Sequence, residues 1–176
     1  MVRQFACIIA LAATSLLGQN ALSNRRAPSF TLPDWHINYF DLLDYRGKVV
    51  VIEIMSTTCP HCQGMAATLE KVSAHYGTKI AILSVVLPPD NQSTVRQFIQ
   101  KYNVTHPVLF DCGQMTESYF KATPENAHID LPHLFFIDAA GMIRSDFTWT
   151  QPPEGKSEES IVNAAIDPLL AGSGSR

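Results

Sequence analysis

The 176-residue chain predicts one α/β domain, a central mixed β-sheet flanked by helices. Three observations predict it. Two runs, Lys48 to Met55 and Lys79 to Leu87, are apolar at both odd and even positions, so both faces are buried, as in central parallel strands. Each run is followed by a helical stretch, the alternation that builds a parallel sheet. Late in the chain, Leu134 to Ile137 and Met142 to Trp149 flank a turn at Asp138 to Gly141, a β-hairpin that adds antiparallel strands.

The elements follow in order. Arg3 precedes a run rich in Ala, Leu and Ile from Phe5 to Leu17, too short to span a bilayer, which takes about 20 residues. It reads as the apolar region of a secretory signal peptide, 1–23, with cleavage near Ala21 to Ser23. The domain proper is read as 24–171. Asn24 to Asp34, with Pro28 and Pro33, is an extended lead-in. Trp35 to Leu43 holds a short strand and a helical turn, and Asp44-Tyr45-Arg46-Gly47 is a turn. After the first core strand, Cys59 to Tyr76 carries Met65, Leu69 and Val72 at helical spacing, with Gly77 as the stop. The second core strand ends at Pro88-Pro89. Ser93 to Tyr102 is a helix with Val95, Phe98 and Ile99 on one face and Ser93 as its N-cap. Pro107 to Asp111 is a third strand, Gln114 to Lys121 a short helix, and Ser157 to Leu170 the closing helix. Residues 172–176 are a disordered tail.

Composition excludes some function classes. Apolar residues make up 46%, charged residues 16%, and the net charge is −3 with no Lys/Arg cluster. Nucleic acid and anionic membrane surfaces are thereby poor partners, and no stable membrane insertion is expected after processing. Cys7 falls inside the leader, leaving Cys59, Cys62 and Cys112. Three thiols in an oxidising compartment give one functional pair plus one remaining thiol, not a disulfide framework.

That pair is Cys59-Pro60-His61-Cys62, where an apolar strand turns into a helix. Cys59 sits near the N-cap and Pro60 at the first helical position, where its missing N–H costs nothing. The open N–H groups and the helix dipole favour an anion on the Cys59 sulfur, and a protonated His61 adds to this. Cys59 is therefore the expected nucleophile and Cys62, one turn in and more buried, the resolving thiol. Thiolate stabilisation favours the dithiol form, so a relatively oxidising potential is expected. A structural disulfide over so short a loop constrains little, and zinc would need two further ligands.

Glu53 is the only charge in the Val49 to Met55 run. On alternation it shares a face with Val49, Val51 and Met55, which raises its pKa by desolvation. Six residues ahead of Cys59, it is placed under the helix near Cys62, as a proton acceptor and donor during exchange. Pro132, in Asp130-Leu131-Pro132-His133, precedes the Leu134 strand; a proline entering a strand is usually trans, and spacing alone gives little support to the cis form.

Together these residues resemble the thioredoxin superfamily, in particular its exported TlpA/ResA-like branch. The resemblance rests on Ala27-Pro28-Ser29-Phe30-Thr31-Leu32, on Tyr45-Arg46-Gly47-Lys48-Val49-Val50-Val51, on the CxxC, and on Leu131-Pro132-His133-Leu134-Phe135-Phe136-Ile137-Asp138 with Gly141 after it. It implies a thioredoxin-like three-layer sandwich with an N-terminal extension and a strand-helix insertion. It also implies a cis-Pro132 facing the Cys59 sulfur, with Leu131 backbone pairing to a bound substrate strand, and it supports Glu53. Two departures stand out. Thr57-Thr58 replace the usual Trp before the first Cys, and Pro-His is the dipeptide of DsbA-type oxidases in a branch made mostly of reductases.

The expected function is exported thiol–disulfide exchange, periplasmic or secreted. It needs no cofactor or metal, and acts on protein thiols or disulfides with a redox partner protein. Apocytochrome cysteines are one candidate substrate class. Two rivals are weighed. A peroxiredoxin-like peroxidase carries its nucleophile in P-x-x-x-[T/S]-x-x-C; Ser56 fits, but Ile52 stands where Pro is required. A copper-binding thioredoxin-like chaperone uses two Cys, one residue further apart, plus a distant His such as His133 or His106. The remaining His residues, 36, 75 and 128, read as surface or structural, as does His106 if it binds no copper. Cys112 reads as a half-buried bystander, or as a third redox partner if its strand is parallel to the core.

Overall fold

The computed structural model describes residues 22–126, 128–148 and 154–173. Among the described residues, eight strands and four α-helices are arranged in chain order: β1 (Arg25–Arg26), β2 (Thr31–Pro33), β3 (Tyr39–Asp41), β4 (Val49–Met55), α1 (Pro60–Tyr76), β5 (Ile80–Val86), α2 (Gln92–Tyr102), β6 (Val108–Phe110), α3 (Gln114–Phe120), β7 (His133–Ile137), β8 (Met142–Thr148) and α4 (Glu158–Ser173). Six strands form one sheet in the order β1-β8-β7-β4-β5-β6, while β2 and β3 pair separately. β4, β5 and β6 are parallel; β7, β8 and β1 are antiparallel. The mixed sheet expected from the hydrophobic pattern is therefore present.

Every residue of β4 is buried, because it lies between β5 and β7 with packing on both faces. Its even positions, Val50, Ile52 and Ile54, pack with Phe30, Leu32, Met115, Tyr119 and Phe135, under α3 and the N-terminal segment. Its odd positions face the other helices. Val49 and Val51 meet Met65, Leu69, Val72, Val162 and Ile166, and Met55 meets Cys62, Ala66, Val95 and Phe98. The result is three layers, with α1, α2 and α4 on one side of the sheet. Glu53 is the one odd position in β4 that is not apolar.

α2 departs from the sequence reading at its start. Its N-cap is Asn91, not Ser93. Asn91 has extended backbone, and its side chain accepts from the N–H groups of Ser93 and Thr94, while Thr94 Oγ1 accepts from the Asn91 N–H. Both residues are good cappers; the reciprocal bond from Thr94 decides between them. Asn91→Ala is expected to lower unfolding stability by about 1 kcal/mol in urea titration, the usual loss for an N-cap. α4 runs on to Ser173, past the Leu170 end read from sequence, with Pro168 inside it.

Of the expected leader, 1–21 lie outside the described residues. Leu22 packs on the core, and Ser23 donates to Asp146 at 2.5 Å. Of the expected tail, 174–176 lie outside the described residues, as does Trp149. Among the described residues, no helix is long and apolar enough to cross a membrane.

Candidate active site

Cys59 is the N-cap of α1 and Pro60 its first residue. The Cys59 backbone is extended, and its sulfur accepts from the Cys62 N–H at 3.4 Å. The sulfur thus points at the open N-terminal donors of a 17-residue helix, where negative charge is favoured. Cys59 is partly exposed, whereas Cys62 is fully buried. Burial, first, and then the hydrogen bond to Cys59 and the charge of Glu53 push the Cys62 thiol strongly up. The two sulfurs are therefore unequal: one is accessible at a helix start, the other needs a base to lose its proton. Pro60 and His61 are exposed, on the outer surface of the motif.

Opposite stands the Leu131–Pro132 peptide, which is cis. The Cys59 thiol donates to the Leu131 carbonyl at 3.6 Å, and Pro132 is buried behind it. Thr57 and Thr58 occupy the positions ahead of Cys59. Thr57 is buried and donates through its N–H, at 2.9 Å, and its hydroxyl to Asp90, which also takes the Thr94 hydroxyl. Gln63 closes this knot by donating to the Thr57 carbonyl. Asp90 fixes the approach to Cys59, a role its place after Pro88-Pro89 did not signal.

Glu53 is 1% exposed. Burial lifts its carboxyl to about 7, only partly offset by the Ser84 hydrogen bond and by His106. Ser84 lies directly opposite it on β5 and donates to Oε2 at 2.5 Å; among the described residues, Oε1 is buried without a hydrogen-bond partner. His106, read as surface or structural or as a copper ligand, is half-buried against Ser84. Its Nε2 is 2.9 Å from the Ser84 hydroxyl and its Nδ1 2.8 Å from Glu70. Sequence reasoning missed Ser84 altogether. The available signal was a lone hydroxyl on the same face of the second apolar strand as Glu53 occupies on the first.

Cys112 follows β6, which is parallel to the core, so it lies at the same end of the sheet as Cys59. It is exposed rather than half-buried, because the chain turns away at Gly113 into α3. His133 engages both ring nitrogens, with Asp146 at 3.2 Å and Thr148 at 3.1 Å. His106 does likewise, and no cluster of three His, Cys, Asp or Glu suited to a metal occurs among the described residues.

A family model described as the AhpC/TSA family matches residues 23–146, most of the chain. The chain belongs to the AhpC/TSA family. Among its relatives, the thioredoxin-like protein YneN of Bacillus subtilis is 27% identical over 122 residues, 68% of each chain. The thiol-disulfide oxidoreductase ResA of Geobacillus thermodenitrificans is 28% identical over 131 residues, 73% of this chain and 70% of its own. A thiol:disulfide interchange protein of Chlorobium tepidum superposes with TM-score 0.70 at 16% identity, over 84% of this chain and 97% of that one. A secreted disulfide oxidoreductase of Mycobacterium tuberculosis gives 0.62 at 18%, over 80% and 96%. These superpositions establish a thioredoxin-like fold. Within the thioredoxin superfamily, this AhpC/TSA chain is ResA-like.

Proposed function

We propose that this chain is an exported thiol–disulfide oxidoreductase that exchanges protein thiols and disulfides through the Cys59/Cys62 pair. The observation that carries the reading is the asymmetry of that pair, with an accessible sulfur at a helix N-terminus beside the Leu131 carbonyl and a buried sulfur whose thiol is pushed up by burial. Cys59 attacks a substrate disulfide, or is attacked as part of its own. The mixed disulfide then places the substrate's strand along Leu131 and Pro132. Cys62 resolves it, and Glu53 takes or returns the Cys62 proton, since burial holds that carboxyl near neutral pH where it exchanges readily. His61 lies at the surface beside the attacking sulfur and tunes the pair toward oxidation. The exchange needs no cofactor, and the reaction is completed by a redox partner protein.

Export is supported by the apolar segment Phe5 to Leu17, and the structural neighbour from Mycobacterium tuberculosis is itself a secreted protein. Cleavage after Ala21 keeps the Leu22 packing and the Ser23 bond to Asp146. The peroxidase reading is disfavoured by Ile52. It pairs with Leu83 and Phe135 in the centre of the sheet, where a proline would remove a ladder donor.

The test is the equilibrium potential of the pair against glutathione, with the redox state of the protein in its own cell compartment beside it. The expected result is a two-electron couple more oxidising than thioredoxin's, at about −270 mV. A potential as low as thioredoxin's would remove the role given to His61. A pair that does not titrate at all would remove the function. Steady-state oxidation in the cell identifies an oxidase, and reduction a reductase.

A further inference from the structure

We propose that Ser84, His106 and Glu70 form a proton conduit that connects Glu53 to the protein surface, serving the exchange step proposed above and resting on that reading. Glu53 and Ser84 are each 1% exposed. Enclosed so completely, a carboxyl that takes up a proton from Cys62 needs a route for it. Among the described residues, the side chain hydrogen-bonded to the Glu53 carboxyl is that of Ser84, and the hydrogen bonds continue from there. Ser84 Oγ lies 2.5 Å from Glu53 Oε2 and 2.9 Å from His106 Nε2; His106 Nδ1 lies 2.8 Å from Glu70 Oε1. The series runs from β4 across β5 to the segment ahead of β6 and back to α1. Exposure rises along it, from 6% for the His106 side chain to 21% for that of Glu70. His106 also lines a surface cleft with Asp34, Trp35, Thr105 and Pro107.

Counting hydrogens gives the series its function. Glu70 accepts from the Thr105 N–H at 2.8 Å and from the Thr105 hydroxyl at 2.7 Å. Burial would raise the Glu70 carboxyl, but the hydrogen bonds from His106 and Thr105 outweigh it and hold the group at about 2, so it is a carboxylate. His106 Nδ1 must therefore carry hydrogen. Ser84 has one hydrogen to give, so while Glu53 Oε1 carries none there are two complete arrangements. In the first, Glu53 is neutral, Oε2–H donates to Ser84, Ser84 donates to Nε2, and the imidazole is neutral. In the second, Nε2–H donates to Ser84, Ser84 donates to Glu53 Oε2, and the ring is an imidazolium beside the Glu70 carboxylate. Every gap is bonded in both. They differ by two short hydrogen transfers that carry one proton from Glu53 to His106.

Glu53 Oε1 completes the path. It is buried without a hydrogen-bond partner among the described residues, and the charge of this carboxyl acts on the Cys62 thiol. As the Cys62 S–H bond breaks, its proton adds to Oε1 while Oε2 releases its own to Ser84 and Ser84 releases its own to Nε2. The Cys62 sulfur keeps the electron pair and attacks Cys59 of the mixed disulfide. The substrate sulfur leaves as a thiolate. One proton has entered the series and one positive charge stands on His106, next to Glu70. Titratable groups facing Glu53 are Cys62 from α1 and His106 through Ser84; its neighbour from β7 is Leu134, which carries no charge. His106 faces Glu70 of α1 and shares its cleft with Asp34.

The test reacts the reduced full-length protein with glutathione disulfide and follows, by rapid acid quench and mass measurement, the decay of the Cys59–glutathione mixed disulfide across pH 5 to 9. Ser84→Val and His106→Gln are expected to slow this decay roughly tenfold at pH 7, below the ~100-fold that a positioned proton-transfer group itself contributes. Both should displace the pH profile in the same direction. Ser84→Thr, which keeps the hydroxyl at the volume of valine, is expected to decay within about twofold of the parent. Slow decay in Glu53→Gln with parental rates in Ser84→Val and His106→Gln would overturn the conduit and leave the role of Glu53 intact. Parental rates in Glu53→Gln would overturn both. A Ser84→Thr variant as slow as Ser84→Val would also overturn it, because the loss would then follow packing rather than the hydroxyl.

Discussion

Replacing Cys59 by serine is expected to reduce disulfide-exchange turnover by roughly a thousandfold or more, the scale at which loss of an attacking nucleophile is felt. Cys62→Ser is expected to lose turnover as well, yet to accumulate a stable mixed disulfide through Cys59. The difference follows from the positions of the two sulfurs. Cys59 is partly exposed, accepts from the Cys62 N–H, and lies 3.6 Å from the Leu131 carbonyl, so a substrate sulfur can reach it. Cys62 is fully buried beneath it and can meet only a sulfur already bonded to Cys59. The check is a dithiothreitol-driven insulin reduction assay on both variants, with mass measurement of the adducts. Adducts on Cys59→Ser but not on Cys62→Ser would reverse the assignment of nucleophile and resolving thiol.

How much of this was legible in the sequence depends on whether the signal was local. The CxxC, the strand before it and the proline at the helix start are contiguous, and one helix–strand junction fixes their geometry. Glu53 was legible for a related reason, since a single charge in a run buried on both faces stands out without knowledge of the neighbours. Ser84 and His106 were not. They lie 22 residues apart and meet only because β5 and β6 pair in parallel, with the Ser84 N–H bonded to the Pro107 carbonyl. A serine in a strand and a histidine before one are each unremarkable until the register Glu53–Ser84 is known. The start of α2 failed differently. Asn91 and Ser93 are both competent caps, and local preference does not rank them until Thr94 is seen to close the box.

The second large effect is on stability. Glu53→Gln is expected to make the reduced protein less dependent on pH, by about 3 kcal/mol between pH 4 and pH 8. Burial raises the Glu53 carboxyl from its ordinary 4.5 to about 7 in the fold, with Ser84 and His106 offsetting part of the rise. A folded-state value above the unfolded one means that the native protein binds the proton more tightly. The stability linked to that proton is fully present below pH 4.5, is lost as pH rises through about 7, and does not change further above it. At about 1.4 kcal/mol per pH unit the loss across that window is ~3 kcal/mol. Glutamine is neutral throughout and keeps an oxygen for the Ser84 hydroxyl, so the variant lacks this slope. Glu70 does not obscure the comparison. Its carboxyl is held at about 2, below its unfolded value, so its contribution is present above pH 4.5 and is lost only as pH falls below it. Urea unfolding of the reduced parent and variant at half-unit steps from pH 4 to 8 measures the difference. A constant gap between the two curves would mean that Glu53 ionises in the fold as it does in the unfolded chain. Its readiness to take a proton from Cys62 near neutral pH would then have no thermodynamic basis.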